Sequence, residues 1–208
     1  MKKHLIMLMA LVGLSFIISG CGGAKLAPEV AEIINNQATM YTTRNMHYNI
    51  ARKGQKLVET TNYQVGFLIP VNSKVTMQSA NAKQIVFLYE GNEIILRNTP
   101  KYTGVGISEI LQQYFSSKKV DLAKFTKDEQ KAISNAGLVK GMSKAAVLVS
   151  LGTPPAHQTP RLDSDSWKFW KDRWTTFLVT FKNGKVIDNP HAANNNNSGT
   201  SVSLISVH

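Results

Sequence analysis

Histidines, a pair of aspartates and one cysteine are the residues whose chemistry could support catalysis or metal binding. The histidines beyond the first twenty residues lie too far apart for a helical ligand pair; they are His47, His157, His191 and His208. Asp163 and Asp165 have a spacing that can begin a calcium loop, but no EF-hand glycine or distal glutamate follows. The sequence also lacks a G-x-S-x-G nucleophile elbow. We therefore predict a non-enzymatic protein with no catalytic residue and no metal site.

Cys21, the only cysteine, ends a segment with the features of a secretion signal. Two lysines precede an apolar run over residues 5–18, which is shorter than the roughly 20 residues a membrane-spanning helix needs. The stretch Ile18-Ser19-Gly20-Cys21 resembles the bacterial lipobox. This resemblance implies that residues 1–20 are a signal peptide, that cleavage falls between Gly20 and Cys21, and that a covalent lipid on Cys21 is the only cofactor.

The residue after the lipidated cysteine is Gly22, not the aspartate that marks inner-membrane retention in enteric bacteria. In a Gram-negative source we therefore expect a lipid-anchored protein on the periplasmic face of the outer membrane. In any other source we expect it to be anchored in the plasma membrane on the extracytoplasmic side. Residues 21–38 are predicted to be a short lipidated tether followed by a short helix that begins near Pro28.

The chain is basic, with 24 lysines and arginines against 13 aspartates and glutamates and a formal net charge of +11. Loss of Lys2 and Lys3 with the signal leaves 22 basic side chains and a charge of +9. The excess is spread evenly, whereas nucleic-acid-binding proteins concentrate it in a patch, so we predict no nucleic-acid partner. Attraction to anionic lipid headgroups or acidic partners is one use of this charge, and a merely soluble basic surface is the alternative.

Residues 39–100 carry the pattern of a small β domain. Short apolar and β-branched runs alternate with turn residues, and Glu90-Gly91-Asn92-Glu93 is a four-residue hairpin connection. Several short strands without long helices favour a barrel-like or sandwich-like domain. Residues 101–125 are a connecting helical segment, with Ser108 as the candidate N-cap of a helix that extends to about Ser116.

Local signals are clearest in residues 126–190. Thr126 and Glu129 form a capping box that begins one helix. Ser143 is the N-cap of a second helix, which Gly152 and the prolines after it end.

After this helix, apolar residues recur at every second position, which is the spacing of a β-strand with one buried face. Trp167 and Phe169 alternate on a first strand, a second alternating strand follows, and Asn183-Gly184 is a strong signal for a hairpin to a third. We predict a three-stranded antiparallel sheet whose apolar face packs on two helices. The fold class is therefore α+β, with a low-complexity tail over residues 191–208.

Four segments of the C-terminal region match, in order, the pattern of a known lipoprotein domain. They are 141–148 (GMSKAAVL), 151–154 (LGTP), 165–170 (DSWKFW) and 179–186 (VTFKNGKV). Residues 126–188 thereby resemble the SmpA/OmlA (BamE-like) lipoprotein domain. The resemblance implies two helices on a three-stranded sheet and a relation to an accessory subunit of the outer-membrane β-barrel assembly machinery. About a hundred residues separate the lipid from these motifs in this chain, so we do not expect identity with that subunit.

The motif residues also have structural explanations. Glycines and prolines end helices or form turns, Met142 suits a hydrophobic staple against Val147, and a tryptophan belongs in the core. The motif residues interpreted in this way are Gly141, Met142, Ser143, Gly152, Pro154, Trp167 and Gly184.

Alternation along the first strand places Trp167 and Phe169 toward the core and Trp170 on the other side. We predict that Trp170, Trp174 and His157 contact partner proteins, because exposed aromatic residues often anchor interfaces. The leading hypothesis is an assembly or scaffold factor that binds other envelope proteins. Two alternatives stay open: an accessory lipoprotein subunit of a trans-envelope secretion complex, and a periplasmic hydrolase or ligand carrier with a site between the two domains.

Overall fold

The computed structural model describes residues 26–187, and this range has the predicted α+β character. Its strands form a large curled sheet of eight strands and a second sheet of three. The predictions for the signal peptide, Gly20, Cys21 and the low-complexity tail with His191 and His208 lie outside the described residues.

Eleven strands are present in residues 26–187. In chain order they are β1 (Thr39–Thr42), β2 (Met46–Ile50), β3 (Lys56–Glu59), β4 (Phe67–Ile69), β5 (Lys74–Asn81), β6 (Gln84–Tyr89), β7 (Asn92–Arg97), β8 (Phe115–Ser116), β9 (Ser166–Trp170), β10 (Thr176–Lys182) and β11 (Lys185–Val186).

Five α-helices and one 3-10 turn complete the elements of the same range. They are α1 (Pro28–Asn35), the turn Arg52–Gly54, α2 (Pro100–Thr103), α3 (Ile107–Tyr114), α4 (Lys127–Ser134) and α5 (Lys144–Leu151). None of the helices in the described part of the chain is long and apolar enough to cross a membrane.

The large sheet follows the strand order β4-β2-β3-β7-β6-β5-β1-β8. Neighbouring strands are antiparallel except β3 and β7, which run parallel with Leu57 opposite Ile95. The order ends at β4 on one side and at β8 on the other. The segment predicted to be a barrel-like or sandwich-like domain thus forms one curled eight-stranded sheet.

The hairpin between β6 and β7 is tighter than the predicted four-residue connection. Glu90 and Gly91 alone form the turn, since both adopt a positive φ, 49° and 74°. Two central residues with positive φ are typical of a type I′ turn, whose twist matches that of the flanking strands. Asn92 and Glu93 therefore belong to β7, where Asn92 pairs with Tyr89.

The predicted connecting segment, residues 101–125, contributes to the large sheet. Its main helix, α3, has Gly106 at the N-cap position in place of the predicted Ser108. The helix ends where Phe115 becomes extended and pairs with Thr42 of β1. The segment is therefore part of the N-terminal structure and not only a link.

Two hydrophobic clusters form the interior of the described residues. The first lies on the large sheet and includes side chains of α1 and α3, among them Val30, Met46, Ile69, Phe87, Ile110 and Tyr114. The second combines α4, α5 and the three-stranded sheet and includes Ile133, Met142, Val147, Trp167, Phe169, Val179 and Phe181. Val71, in the loop between β4 and β5, also belongs to the second cluster, so the two cores meet there.

The predicted local signals of the C-terminal region are present. Thr126 and Glu129 form the capping box of α4. The Ser143 hydroxyl accepts a 3.2 Å hydrogen bond from a backbone N–H of α5, and Gly152, with φ of 80°, ends that helix. Asn183-Gly184 forms the turn between β10 and β11.

One buried and one half-buried polar side chain join the large sheet to helix α5. Asn62, after β3, donates a side-chain hydrogen bond to the carbonyl oxygen of Leu151 at the end of α5. Gln64 Nε2 donates to the same oxygen at 2.9 Å, and the Gln64 backbone N–H donates to the carbonyl oxygen of Trp170 at 3.1 Å. The bonds to Leu151 satisfy a helix-end carbonyl that has no partner within the helix. Together these contacts fix the segment after β3 against the C-terminal region.

Candidate functional site: an aromatic pocket between the two sheets

A pocket of about 220 Å³ lies where the large sheet meets the C-terminal region. Its wall on the large-sheet side comes from the segment after β3 and from α2. The opposite wall comes from the turn after α5 and from the end of β9 with the loop that follows it. The residues that line this space, termed the aromatic pocket, are Thr61, Tyr63, Tyr102, His157, Trp170, Arg173 and Trp174.

The loop between β9 and β10 presents Arg173 and Trp174 to the pocket. The Asp172 carboxylate accepts hydrogen bonds from the backbone N–H groups of Trp174 and Thr175, both at 2.8 Å. These hydrogen bonds hold the pKa of Asp172 below its usual range. Trp174 is 83% exposed, and the Arg173 guanidinium lies 5.1 Å from its ring centroid in a cation–π contact.

His157 lies between two rings of the pocket. Its backbone N–H donates to the carbonyl oxygen of Tyr102 at 3.2 Å. The imidazole centroid is 4.7 Å from that of Tyr102 and 6.2 Å from that of Trp170. Pro154 and Pro155 position this histidine, because they prevent α5 from continuing and a turn follows them.

Thr61 and Tyr63 form the wall on the large-sheet side. They flank Asn62, whose φ of 60° turns the chain after β3. An asparagine tolerates this left-handed conformation better than most residues. Because Asn62 and Gln64 bond to the C-terminal region, the two pocket residues beside them are held opposite Trp170.

Two polar atoms of the aromatic pocket are buried without a hydrogen-bond partner among the described residues: Thr61 Oγ1 and Trp170 Nε1. Thr61 is only 7% exposed. The indole nitrogen can only donate, whereas the hydroxyl can donate or accept. A buried polar atom without a partner is unfavourable, so a ligand that bonded to these atoms would gain free energy from doing so.

The charge of the pocket wall is cationic. Arg173 is its one charged residue, and none of the seven lining residues is an aspartate or glutamate. Asp172 is adjacent in sequence, but its carboxylate is bonded to the backbone of its own loop. The wall therefore combines apolar rings with hydrogen-bond donors and positive charge.

The motif residues predicted to be structural lie in the core, in caps and in turns. Met142 and Trp167 are fully buried in the second hydrophobic cluster. Ser143 caps α5. The remaining motif residues lie at the ends of elements; they are Gly141, Gly152, Pro154 and Gly184.

The other candidates for chemistry do not line the pocket. His47 lies in β2 opposite Leu68 of β4, and burial lowers the pKa of its imidazole. Asp163 forms an ion pair with Arg161, and Asp165 is exposed. Among residues 26–187, no group of three histidine, cysteine or acidic side chains could hold a metal ion.

The structure brings the three predicted partner-binding residues, His157, Trp170 and Trp174, into one pocket. The residues that sequence reasoning missed are Thr61, Tyr63, Tyr102 and Arg173. Arg173 could have been found, since it stands beside Trp174 in a short loop. The other three carry no local signal, because only the tertiary fold brings them to the C-terminal region.

Comparison with known proteins identifies no relative. The BamE-like resemblance therefore depends on the order of the motifs, and the functional assignment depends on the residues and geometry described above. The chain matches no family model, no curated protein and no solved structure.

Proposed function

We propose that this chain is a non-enzymatic envelope lipoprotein that binds other envelope proteins through the aromatic pocket and acts as an assembly or scaffold factor. The observation that carries this proposal is the 83% exposure of Trp174 beside a concave surface that includes Trp170, Tyr63 and Tyr102. Tryptophan, tyrosine and arginine are the residues that most often dominate binding energy at protein interfaces. All three types are concentrated in this pocket.

The size of the pocket favours a protein partner over a small-molecule cargo. Pockets that enclose a drug-sized ligand measure about 300–1,000 Å³. The aromatic pocket, at about 220 Å³, suits one side chain of a partner, and the exposed part of its lining residue Trp174 offers further contact. A carrier would need a larger cavity, and a hydrolase would need a carboxylate to orient His157, which none of the lining residues supplies.

We propose that Cys21 carries the lipid and anchors the protein to the periplasmic face of the outer membrane in a Gram-negative source. The support is the lipobox-like sequence and Gly22 after it. The excess of basic side chains over acidic ones would add attraction to anionic headgroups once the lipid holds the protein at the surface.

We also propose that residues 126–188 form a BamE-like domain. The support is that α4, α5 and the three-stranded sheet contribute to one hydrophobic cluster, with the motif residues in its core and at the ends of its elements. The large sheet before it gives the protein a surface that a single such domain lacks. The aromatic pocket uses both parts.

Photo-crosslinking in intact cells tests the binding proposal. Trp174 is replaced by p-benzoylphenylalanine in the full chain, which is expressed with its own signal sequence in the native host. The control is the same replacement at Phe67, which is 56% exposed on edge strand β4 and outside the pocket. We expect adducts with envelope proteins at position 174 and none at position 67.

The identity of the crosslinked proteins also distinguishes between the proposed roles. Barrel-assembly subunits would support outer-membrane assembly, and secretion-channel proteins would support the alternative of a secretion-complex subunit. No protein adduct at position 174 would contradict the proposal. The anchor is tested separately with C21A, which we expect to move the protein out of the membrane fraction and to abolish incorporation of labelled palmitate.

A further inference from the structure

The chemistry of the aromatic pocket indicates what part of a partner it binds, and this step rests on the proposed function. We infer that the pocket takes an apolar side chain from a partner segment that also carries a carboxylate beside that side chain. The docking segment is thus acidic, with an apolar anchor.

The apolar part of this inference comes from the pocket walls. Tyr63, Tyr102 and Trp170 surround a space of about 220 Å³, and His157 packs against the last two. Aromatic walls favour an aromatic or aliphatic side chain, because offset or edge contacts between rings add to the gain from burial. An acidic group alone would leave these rings without contact.

Four buried side-chain atoms lack a hydrogen-bond partner among the described residues, and the two on pocket-lining residues, Thr61 Oγ1 and Trp170 Nε1, carry the hydrogen-bonding part of the inference. Trp170 Nε1 can only donate, so its partner must be an acceptor, and Thr61 Oγ1 can donate to the same group or to a second one. Carbonyl and carboxylate oxygens of a peptide segment supply such acceptors. A purely hydrocarbon ligand would leave both atoms buried and unpaired.

The carboxylate part comes from Arg173. Its guanidinium carbon lies 5.1 Å from the Trp174 ring centroid, and no side-chain hydrogen bond or ion pair among the described residues uses its N–H groups. A carboxylate can accept two of these N–H groups at once, a geometry for which arginine is preferred over lysine. The acidic side chain nearest in sequence, Asp172, is bonded to the backbone N–H groups of its own loop. The carboxylate for Arg173 is therefore supplied by the partner.

Peptide titration monitored by NMR tests this inference on the full chain purified in maltoside detergent. Each of the three tryptophans gives one indole N–H resonance. Trp167, buried in the second cluster, is the internal reference. The probes are the acetylated and amidated tripeptides Glu-Phe-Glu, Lys-Phe-Lys and Glu-Ala-Glu.

We expect Glu-Phe-Glu to cause a saturable downfield shift of the Trp170 indole proton and no shift for Trp167. Lys-Phe-Lys and Glu-Ala-Glu should bind at least about fivefold more weakly, because each lacks one of the two required groups. R173E should weaken the binding of Glu-Phe-Glu by about fivefold, which is the effect expected from the loss of an exposed charge pair. R52E, a matched change on the exposed 3-10 turn outside the pocket, should leave the affinity unchanged.

Equal binding of Lys-Phe-Lys, or an unmoved Trp170 resonance, would overturn the inference. The inference would also be overturned if inorganic phosphate at equal ionic strength shifted the Trp170 resonance as much as the acidic peptide does. If crosslinks at position 174 persist while Glu-Phe-Glu fails to bind, only the acidic-segment inference is wrong. If crosslinks are absent, the proposed function itself is contradicted.

Discussion

Asn45, in the loop between β1 and β2, donates a 2.6 Å hydrogen bond from its side chain to the carbonyl oxygen of Ile133 in α4. The same amide group donates to the carbonyl oxygen of Ser150, and its Oδ1 accepts from the Val71 backbone N–H at 2.8 Å. Asn45 is 1% exposed. One side chain thus joins the large sheet, its β4–β5 loop and both C-terminal helices.

The first prediction concerns this contact. N45A would leave the Ser150 carbonyl oxygen and the Val71 N–H without partners, and the Ile133 carbonyl oxygen would keep only its bond from the Ala136 N–H. We therefore expect the free energy of unfolding to fall by about 3 kcal/mol. Urea unfolding monitored by tryptophan fluorescence and by far-UV circular dichroism measures it. N49A is the control, since Asn49 makes an exposed hydrogen bond to Val65 and should change stability by less than about 0.5 kcal/mol. Equal effects of the two substitutions would show that the junction is not stabilising.

The second prediction concerns Gly152. Its φ of 80° and ψ of −171° lie in a region that is essentially restricted to glycine, and an added Cβ would overlap the buried side-chain amide of Asn62. We expect G152A to destabilise the protein by about 3 kcal/mol or more, the sum of backbone strain and the displaced Asn62 contact. G141A is the matched control, because Gly141 also has a positive φ but no atom near its Cβ position, and it should cost about 1 kcal/mol. Thermal unfolding distinguishes them, and similar melting temperatures would contradict the predicted clash.

The third prediction is a pH dependence from Glu129, which is 5% exposed. Burial alone would raise its pKa, but hydrogen bonds from the backbone N–H groups of Ser143 and Thr126 outweigh burial and lower the pKa to about 2. A depressed carboxyl pKa contributes stability that is fully present above the unfolded value near 4.5 and is lost as the pH falls toward 2.

We therefore expect E129Q to be less stable than the wild type by about 2–3 kcal/mol at pH 7, with the difference shrinking below pH 4.5. Urea unfolding at pH 7, 5, 4 and 3 measures this trend. D128N, a neighbouring change in the exposed first turn of α4, is the control and should not reproduce the trend. A difference that is constant with pH would show that ionisation of the Glu129 carboxyl is not its source.

The fourth prediction separates stability from binding at Thr61. T61V keeps the side-chain shape and removes a buried hydroxyl that has no partner among the described residues, so we expect a gain of about 1 kcal/mol in stability. Binding of Glu-Phe-Glu should weaken at the same time. T60V is the control, because the buried Thr60 hydroxyl donates to Asn98 Oδ1 and accepts from the Thr99 N–H, and its loss should destabilise. A stability loss in T61V would contradict our interpretation of the hydroxyl.

The fifth prediction concerns the loop that carries Trp174. D172A removes the acceptor for the Trp174 and Thr175 N–H groups, so these amides should exchange with solvent faster while the unfolding midpoint stays unchanged. D172N is the matched variant, since asparagine forms the same kind of turn and should retain most of the protection. Hydrogen exchange followed by NMR reports both amides. Unchanged exchange in D172A would show that the carboxylate does not hold the loop.

The sequence predicts best those features whose cause is local. The capping box at Thr126, the N-cap Ser143 and the Asn183-Gly184 turn each depend on a few adjacent residues, and the structure has them. The placement of Trp170 on the side of β9 away from the core follows from alternation along the strand. These local signals are enough to predict from the sequence that Trp170 belongs to a binding surface.

Other features depend on residues that are far apart in the chain. The parallel pairing of β3 with β7 and the addition of β8 to β1 have no periodic signature in either partner. Tyr63 and Tyr102 reach the pocket only because Asn62, Gln64 and His157 bond across the junction. No pattern within one segment encodes such a contact.

The pairing of β3 with β7 has a consequence for the order of folding. These strands are separated by β4, β5 and β6, so closing the loop between them costs chain entropy before any contact is gained. The separation in sequence between β1 and its partner β8 is larger still. A chain made and exported from its N-terminus, through the signal peptide that we propose, therefore has an incomplete sheet with unpaired edges while residues 107–116 are still to come. Until α3 and β8 are available, the unpaired strand edges make the incomplete chain prone to aggregation, so this interval is the stage at which the protein is most vulnerable.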